Sequence, residues 1–299
     1  MITFNADKIL IPIDFSETAK RALKHGISLA KLFNSEIILL HVQKKTDLVE
    51  VVFPAMKIEG TLMIQDFLEG KMEKISQQIR DEHGVKVTPK VVIGNITSTI
   101  TEMAEENKVG LIVMGTHGSD STSDFFLGSN SYRVLTNSDI PVMTVRHEVS
   151  ELQYKNILLP IDTSEHSRQK VNSAIKLAEK LGAKLHILGL LGSFEENYEY
   201  KMKVIIPQIK KLAAKKHVMC TSEIDKDANR VERTLEYAEE VNADLIIIMS
   251  DQKAGFSELI LGSYAHQLIN RSAAPVLSFP PEILSELMEE PVIGGMWSK

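Results

Sequence analysis

Three glycines and a serine in the first half of the chain have a spacing that suits the binding of an anion such as a phosphate group. Gly115 and Gly118 are followed, after nine residues, by Gly128 and Ser129. Glycine lets backbone N–H groups approach phosphate oxygens without a Cβ atom in the way. The last two residues also open a predicted helix, whose unbonded N–H groups and dipole favour a negative charge. The residues themselves therefore predict an anion-binding loop.

Two common nucleotide-binding motifs do not describe this loop. The sequence contains no G-x-G-x-x-G dinucleotide motif. Gly110 and Gly115 have the glycine spacing of a Walker A loop, but Thr116 stands where that loop needs lysine. His117 is expected to be a solvated loop residue, and Cys220 a small packing residue. We see no metal-ligand cluster and no nucleophile with a supporting base in the sequence.

An internal repeat shows which elements must position the loop. The segment ILIPID at residues 9–14 recurs as ILLPID at an offset of 148, and AEENKVGLIVMG at residues 104–115 resembles AEEVNADLIIIM at an offset of 134. The second copy is therefore shorter in its middle. We expect a first domain at residues 1–148, a second at 153–280, and a C-terminal tail at 281–299.

Each copy alternates short apolar runs with helical patterns. In the first copy the runs are residues 8–13, 36–42, 85–92, 111–114 and 142–145. Runs this rich in Ile, Leu and Val are typical of parallel strands that are buried on both faces. The alternation predicts an α/β fold with two tandem doubly wound domains, each with a five-stranded parallel sheet. Ligands bind such sheets beyond the carboxyl ends of the strands, where the loop after residue 114 lies.

The loop, the opening segment ILIPIDFSETAKRAL and the closing IPV strand together resemble the universal stress protein family. The resemblance covers nearly all of both copies, without the tail. It implies a Rossmann-like fold of the adenine nucleotide alpha hydrolase type and ATP as the ligand, with magnesium as a further option. In the family the loop holds the phosphates, while an aspartate and a valine after the first two strands contact ribose and adenine.

The binding residues that the resemblance implies lie at the matching positions of the first copy. Asp14 also has a simpler interpretation, as a residue that helps to start the helix after Ser16. Asn130 departs from the valine that is more usual in the family. The full set is Pro12, Ile13, Asp14, Val42, Met114, Gly115, Gly118, Gly128, Ser129, Asn130 and Ser131.

The second copy serves as an internal comparison, because Met249 and Gln252 replace the first two loop glycines. A charge-assisted hydrogen bond to phosphate contributes about 1.5–3 kcal/mol, so losing two weakens binding by roughly two to four powers of ten. We therefore expect one nucleotide per chain, in the first domain. In the second copy, the positions that match Asp14, Val42, Gly128 and Ser129 are occupied by Asp162, Leu190, Gly262 and Ser263.

Composition narrows the functional classes further. A formal net charge of −6 argues against nucleic acid or an anionic membrane surface as a partner. The sequence has no apolar run of about 18 residues. Its opening residues lead into a strand pattern rather than a signal peptide, and its single cysteine suits a reducing compartment. These features predict a cytoplasmic protein.

The leading hypothesis is a stress-response protein that binds ATP and acts by nucleotide-dependent interaction with partner proteins. A slow ATPase is one alternative, for which Arg133 is the nearest candidate cation, although a solvated helix face explains that residue as well. A nucleotide-free dimerisation module is another. Family members pair through their last strands, so we expect the strands near residues 142–145 and 276–278 to pair within the chain. A homodimer of chains is compatible with that pairing.

Overall fold

The computed structural model describes residues 6–44, 57–116, 127–148, 152–191, 196–226, 229–250 and 261–281. Within these residues the chain forms strands and helices in alternation. The strands are β1 Lys8–Pro12, β2 Glu36–Lys44, β3 Val87–Gly94, β4 Leu111–Gly115, β5 Val142–Val145, β6 Asn156–Ile161, β7 Lys184–Leu190, β8 Cys220–Asp225, β9 Leu245–Met249 and β10 Val276–Phe279. The helices are α1 Glu17–Phe33, α2 Lys57–His83, α3 Ile96–Glu106, α4 Ser129–Asn137, α5 Glu165–Arg168, α6 Val171–Leu181, α7 Glu196–Lys215, α8 Arg230–Glu240 and α9 Ser263–Arg271.

The strands form one ten-stranded sheet in the order β3-β2-β1-β4-β5-β10-β9-β6-β7-β8. Within each half, all neighbouring strands are parallel. The chain order reverses between β1 and β4 in the first half, and between β6 and β9 in the second. The predicted tandem, doubly wound α/β architecture is confirmed.

Both faces of the sheet are buried under helices, as the apolar strand sequences predict. Along β1, Ile9 and Ile11 point to one face and Leu10 to the other, and all three are fully buried. Helices α1, α2, α6 and α7 cover the first face, while α3, α4, α8 and α9 cover the second. Each hydrophobic core contains side chains from both halves of the chain, so the two halves stabilise each other.

Strands β5 and β10 join the two halves by antiparallel pairing. Thr144 lies opposite Val276, and Met143 opposite Leu277. This confirms the expected pairing of the last strands within the chain. Because the pair is antiparallel, the strands of the two halves run in opposite directions. The carboxyl ends of the strands in the first half therefore lie along one edge of the sheet, and those in the second half along the opposite edge.

A buried hydrogen bond ties the segment between the halves to α1. The hydroxyl of Tyr154 lies 2.6 Å from Nδ1 of His25, and both residues are almost fully buried. Burial lowers the pKa of His25 to about 4, so its ring is neutral at neutral pH. Among the described helices, none has both the length and the apolar character needed to cross a membrane.

Candidate functional site

The candidate site lies where β1 and β4 separate at their carboxyl ends. Pro12 is the last residue of β1 and pairs with Leu40 of β2. Ile13 is buried, and its N–H donates to the Leu40 carbonyl at 2.8 Å. Met114 and Gly115 end β4 and are buried as well. The sheet thus brings these four predicted residues to one place.

Asp14 forms a tight turn before α1. Its Oδ1 accepts hydrogen bonds from the backbone N–H of Ser16 at 3.0 Å and from the Ser16 hydroxyl at 2.6 Å. Ser16 in turn caps α1 by accepting from Ala19 N–H at 3.2 Å. Asp162 and Ser164 make the same turn in the second half, at 2.9 and 2.5 Å. The helix-starting role of Asp14 is therefore common to both halves and does not itself distinguish a ligand site.

Gly115 has a packing role that its position in the loop motif did not reveal. A Cβ atom on this residue would lie 2.9 Å from the backbone carbonyl carbon of Thr18 and 3.0 Å from its Cβ. The absence of a side chain therefore lets the first turn of α1 rest directly against the end of β4. In the second half, where Met249 takes this position, the corresponding helix is divided into α5 and α6.

One hydrogen bond ties the start of the loop to β5, and two more hold the two ends of the loop together. The N–H of Thr116 donates to the Val145 carbonyl at 3.1 Å, and the Thr116 carbonyl accepts from Gly128 N–H at 2.7 Å. The buried hydroxyl of Ser131 donates to the Gly115 carbonyl at 2.8 Å. Ser131 thus positions the loop from within α4, with its hydroxyl already committed to the backbone.

The N-terminus of α4 differs from the starts of α1 and α3. Ser16 caps α1, and Asn95 caps α3 by accepting from two backbone N–H groups at 3.0 and 3.2 Å. The N-cap of α4 is Gly128, which has no side chain and makes no side-chain cap. Ser129 is exposed and Asn130 half-buried at this start. An anion could accept the hydrogen bonds that a cap residue would otherwise take.

Apolar side chains on the same face of the sheet lie beside this helix start. Val42, on β2, is half-buried and pairs with Val92 of β3. Val42, Met114 and Leu127 all contribute to the core that α3 and α4 cover. The structure thus places the predicted adenine wall on the α4 side of the sheet. Gly118, and Gln252 in the second half, lie outside the described residues.

An aromatic stack that the sequence reasoning missed supports the turn after β1. Phe15 has a positive φ of 66°, which is uncommon for a bulky residue. Its ring stacks on His41 at a centroid distance of 4.9 Å, and Lys71 Nζ from α2 lies 3.6 Å from the Phe15 ring centroid. His41 Nδ1 donates to the Ile13 carbonyl at 2.7 Å. No local pattern could have brought Lys71 to this turn, because it comes from a distant helix.

The second half also carries a contact that the sequence did not predict. Arg230 lies 3.4 Å from Oδ2 of Asp162, the counterpart of Asp14. At the corresponding position the first half has Ile96, which is uncharged. The carboxylate of the second half therefore already faces a cation. Within the described ranges, no three His, Cys, Asp or Glu side chains come together as metal ligands could.

The fold and the loop define a class of protein: tandem, doubly wound α/β domains in which the helix after the fourth strand of each half starts at a glycine without a side-chain cap. The model of the universal stress protein family matches residues 5–146 and 153–280. The chain therefore belongs to the universal stress protein family, and both halves carry its domain.

Individual relatives agree with this assignment. The universal stress protein MJ0577 of Methanocaldococcus jannaschii is 33% identical over 157 residues, which cover 48% of this chain and 96% of that protein. A universal stress protein of Mycolicibacterium smegmatis is 21% identical over 291 residues, which cover 91% of this chain and 97% of that protein. A solved universal stress protein from Archaeoglobus fulgidus has the same fold, with a TM-score of 0.74 and 22% identity over 92% of this chain and 99% of that one.

Proposed function

We propose that the first domain, residues 1–148, binds one ATP molecule and that the chain acts through nucleotide-dependent interaction with partner proteins. The second domain, residues 153–280, completes the sheet and the two cores without binding ATP in the same way. The family membership supports a role in the stress response. The acidic composition and single cysteine agree with action in the cytoplasm.

The observation that carries the proposal is the start of α4. Gly128 leaves the first turn without a side-chain cap, while its own N–H and Ser131 fix the loop onto β4. A helix start that is held in this way and has no side-chain cap is suited to phosphate oxygens. Ser129, which is exposed at the first helical position, can add a hydroxyl donor.

The remaining residues form a second region suited to a nucleoside. Val42 and Met114 offer apolar surface for a base on the α4 side of the sheet, and Pro12 ends the neighbouring strand. The Ile13 side chain packs in the core of the other face, so Ile13 would contribute its backbone. Asp14 has the position that contacts ribose in the resemblance described above. A magnesium ion would accompany the triphosphate, with Asp14 as the carboxylate able to contact it.

The second half supports a ratio of one nucleotide per chain. It retains Gly262 as an N-cap without a side-chain cap, so its helix start resembles that of α4. However, buried Met249 replaces Gly115, and Arg230 pairs with Asp162. The Arg230 contact acts on the carboxylate that would face ribose. Met249 removes the glycine that begins the loop, and its side chain packs in the core of the face opposite α9.

One pair of variants tests the proposal. Gly128 has φ −61° and ψ 147°, which aspartate adopts readily, and aspartate is a favourable N-cap. Gly128→Asp should therefore keep the fold while placing a carboxylate where phosphate would bind, and calorimetric titration with ATP–Mg should show at least a hundredfold weaker binding. Gly262→Asp makes the same change in the second half and should leave the affinity and the single-site stoichiometry intact.

The results also separate the alternative functions. If mass spectrometry of the purified wild-type protein finds no adenine nucleotide and titration gives no heat, the proposal fails in favour of a nucleotide-free dimerisation module. Equal losses in both variants would contradict the asymmetry between the halves. Turnover of ATP above background that is lost in Asp14→Ala would instead support a slow ATPase.

A further inference from the structure

A group of basic residues lies beside the loop, on the opposite face of the sheet from α4. Arg21 Nη1 donates to the backbone carbonyl of Arg146 at 2.9 Å, and His147 follows next in the chain. Arg21 is in the second turn of α1, and helical side chains tilt towards the helix N-terminus. This tilt brings its guanidinium to the carboxyl ends of β4 and β5.

The basic group is connected to the loop through short backbone contacts. Arg146 directly follows Val145, whose carbonyl accepts from Thr116 N–H at 3.1 Å. Thr18, one turn before Arg21 on the same face of α1, is the residue that packs against Gly115. The guanidinium of Arg21 therefore lies close to the point where the chain leaves β4 to form the loop.

Basic side chains outnumber acidic ones around this point, although Arg21 also interacts electrostatically with Glu17 and Glu148. The pKa of His147 is lowered, first by partial burial and then by the charges of Arg146 and Arg21. Two acidic residues nearby already have lysine partners: Glu148 contacts Lys24 at 2.5 Å, and Glu17 contacts Lys20 at 2.6 Å. A site with this field attracts an anion.

The second half has no basic residue at the positions equivalent to Arg21, Arg146 and His147, although Arg168 and Lys170 flank the first of them. At the offsets of the internal repeat, Gln169 replaces Arg21, and Pro280 and Pro281 replace Arg146 and His147. The arginines therefore accompany the half of the chain that keeps the loop glycines. If the fold itself needed positive charge at the end of the fifth strand, the second half would carry basic residues there too, but it has Pro280 and Pro281.

We propose that Arg21 and Arg146 contact the terminal phosphates of the bound nucleotide and make the site selective for ATP over AMP. The inference rests on the proposed nucleotide site. It adds the residues that would distinguish a nucleoside triphosphate from a monophosphate. Guanidinium groups suit this role because they bind phosphate oxygens with paired N–H donors. The α4 N-terminus would then hold the phosphates nearest the nucleoside.

The test compares affinities for ATP and AMP in the full-length chain. Arg21→Gln introduces the residue that the second half has at this position. We expect it to raise the Kd for ATP about tenfold, because one charged hydrogen-bonding partner is lost. The Kd for AMP should change less than twofold. Arg21→Lys should recover part of the ATP affinity. The ratio of the two constants is informative even if the variant is less stable, because both ligands meet the same folded protein.

Lys31→Gln is the matched control, since it removes one positive charge from the exposed last turn of α1, away from the loop. It should leave both constants unchanged. Equal weakening of ATP and AMP in Arg21→Gln, or an effect of Lys31→Gln as large as that of Arg21→Gln, would overturn the inference. If the wild-type protein binds neither nucleotide, the proposed function fails first, and that outcome is distinct from a wild type that binds both without selectivity.

Discussion

Replacing Gly115 with alanine tests whether this glycine serves packing as well as phosphate binding. The added Cβ would meet the Thr18 carbonyl carbon at 2.9 Å and the Ala19 nitrogen at 3.1 Å. Carbon atoms pack best at about 3.5–4.0 Å, so the start of α1 must move by roughly 0.6 Å or more. These are backbone atoms at the start of a helix, and they cannot rotate away as the end of a flexible side chain can.

The expected loss of stability follows from two opposing effects. Overpacking of this kind costs about 1–3 kcal/mol, whereas alanine gains about 0.4–1 kcal/mol by restricting the unfolded chain. The net destabilisation should be roughly 1–2 kcal/mol, which lowers the midpoint of thermal unfolding by about 2–8 °C for a domain of this size. Calorimetry without nucleotide measures this effect separately from any loss of binding.

Gly70→Ala is the matched control because it makes the same chemical change in an open environment. Gly70 lies in α2, and a Cβ there would have no atom within 4 Å. Alanine in the interior of a helix is favoured over glycine by about 0.5–1 kcal/mol, so this variant should melt slightly higher than the wild type. An unchanged or raised melting temperature for Gly115→Ala would refute the packing argument and leave phosphate binding as the role of this glycine.

Three further variants test other contacts. Ser131→Ala removes the buried hydrogen bond to Gly115 and should lower the free energy of unfolding by about 0.5–1.5 kcal/mol in urea titrations. In the unfolded state His25 has its ordinary pKa of 6.5, whereas in the folded state its pKa is about 4. Acid therefore favours the unfolded state, and the free energy of unfolding of the wild type should fall by about 2 kcal/mol between pH 7.5 and pH 5. His25→Gln should lose that much less over the same interval, and parallel pH curves would contradict the assignment. Arg233 contacts carboxylates of β8 and α8 at 2.6–2.8 Å. Arg233→Met should lower the free energy of unfolding by about 1–3 kcal/mol, and by less at high salt.

Much of the fold could be predicted because its signals are local. The run at residues 142–145 is β5 as predicted, and the run at 111–114 gains only Gly115. Apolar runs define parallel strands because both faces of the sheet must be buried. The start of α3 is less clear from the sequence: Asn95 caps the helix and accepts from the N–H groups of Thr97 and Ser98, whose own side chains are also of a type that caps helices. Polar residues in succession offer several equivalent caps, and only the backbone selects among them.

The candidate site was harder to predict because its residues have more than one role. The loop motif identified Ser131 as a ligand residue, yet its hydroxyl holds the Gly115 carbonyl. Lys71 and Arg21 come from helices whose faces toward the site depend on packing, and no spacing in the sequence indicates that they meet Phe15 or Arg146. Local patterns report backbone conformation well, whereas side chains from distant elements are brought together only by the tertiary fold.

The second half makes structural contacts that the first half needs, whether or not it binds a ligand. Its strand β10 supplies the antiparallel partner of β5, which would otherwise be an exposed strand at the end of a five-stranded sheet. Its N–H at Leu261 donates to the hydroxyl of Tyr132 on α4 at 3.3 Å, so the start of α9 also contacts the helix that begins at Gly128. These contacts are made by β10 and by the segment before α9, and the side chains of Met249 and Arg230 take no part in them. The second half can therefore stabilise the site of the first without a nucleotide of its own.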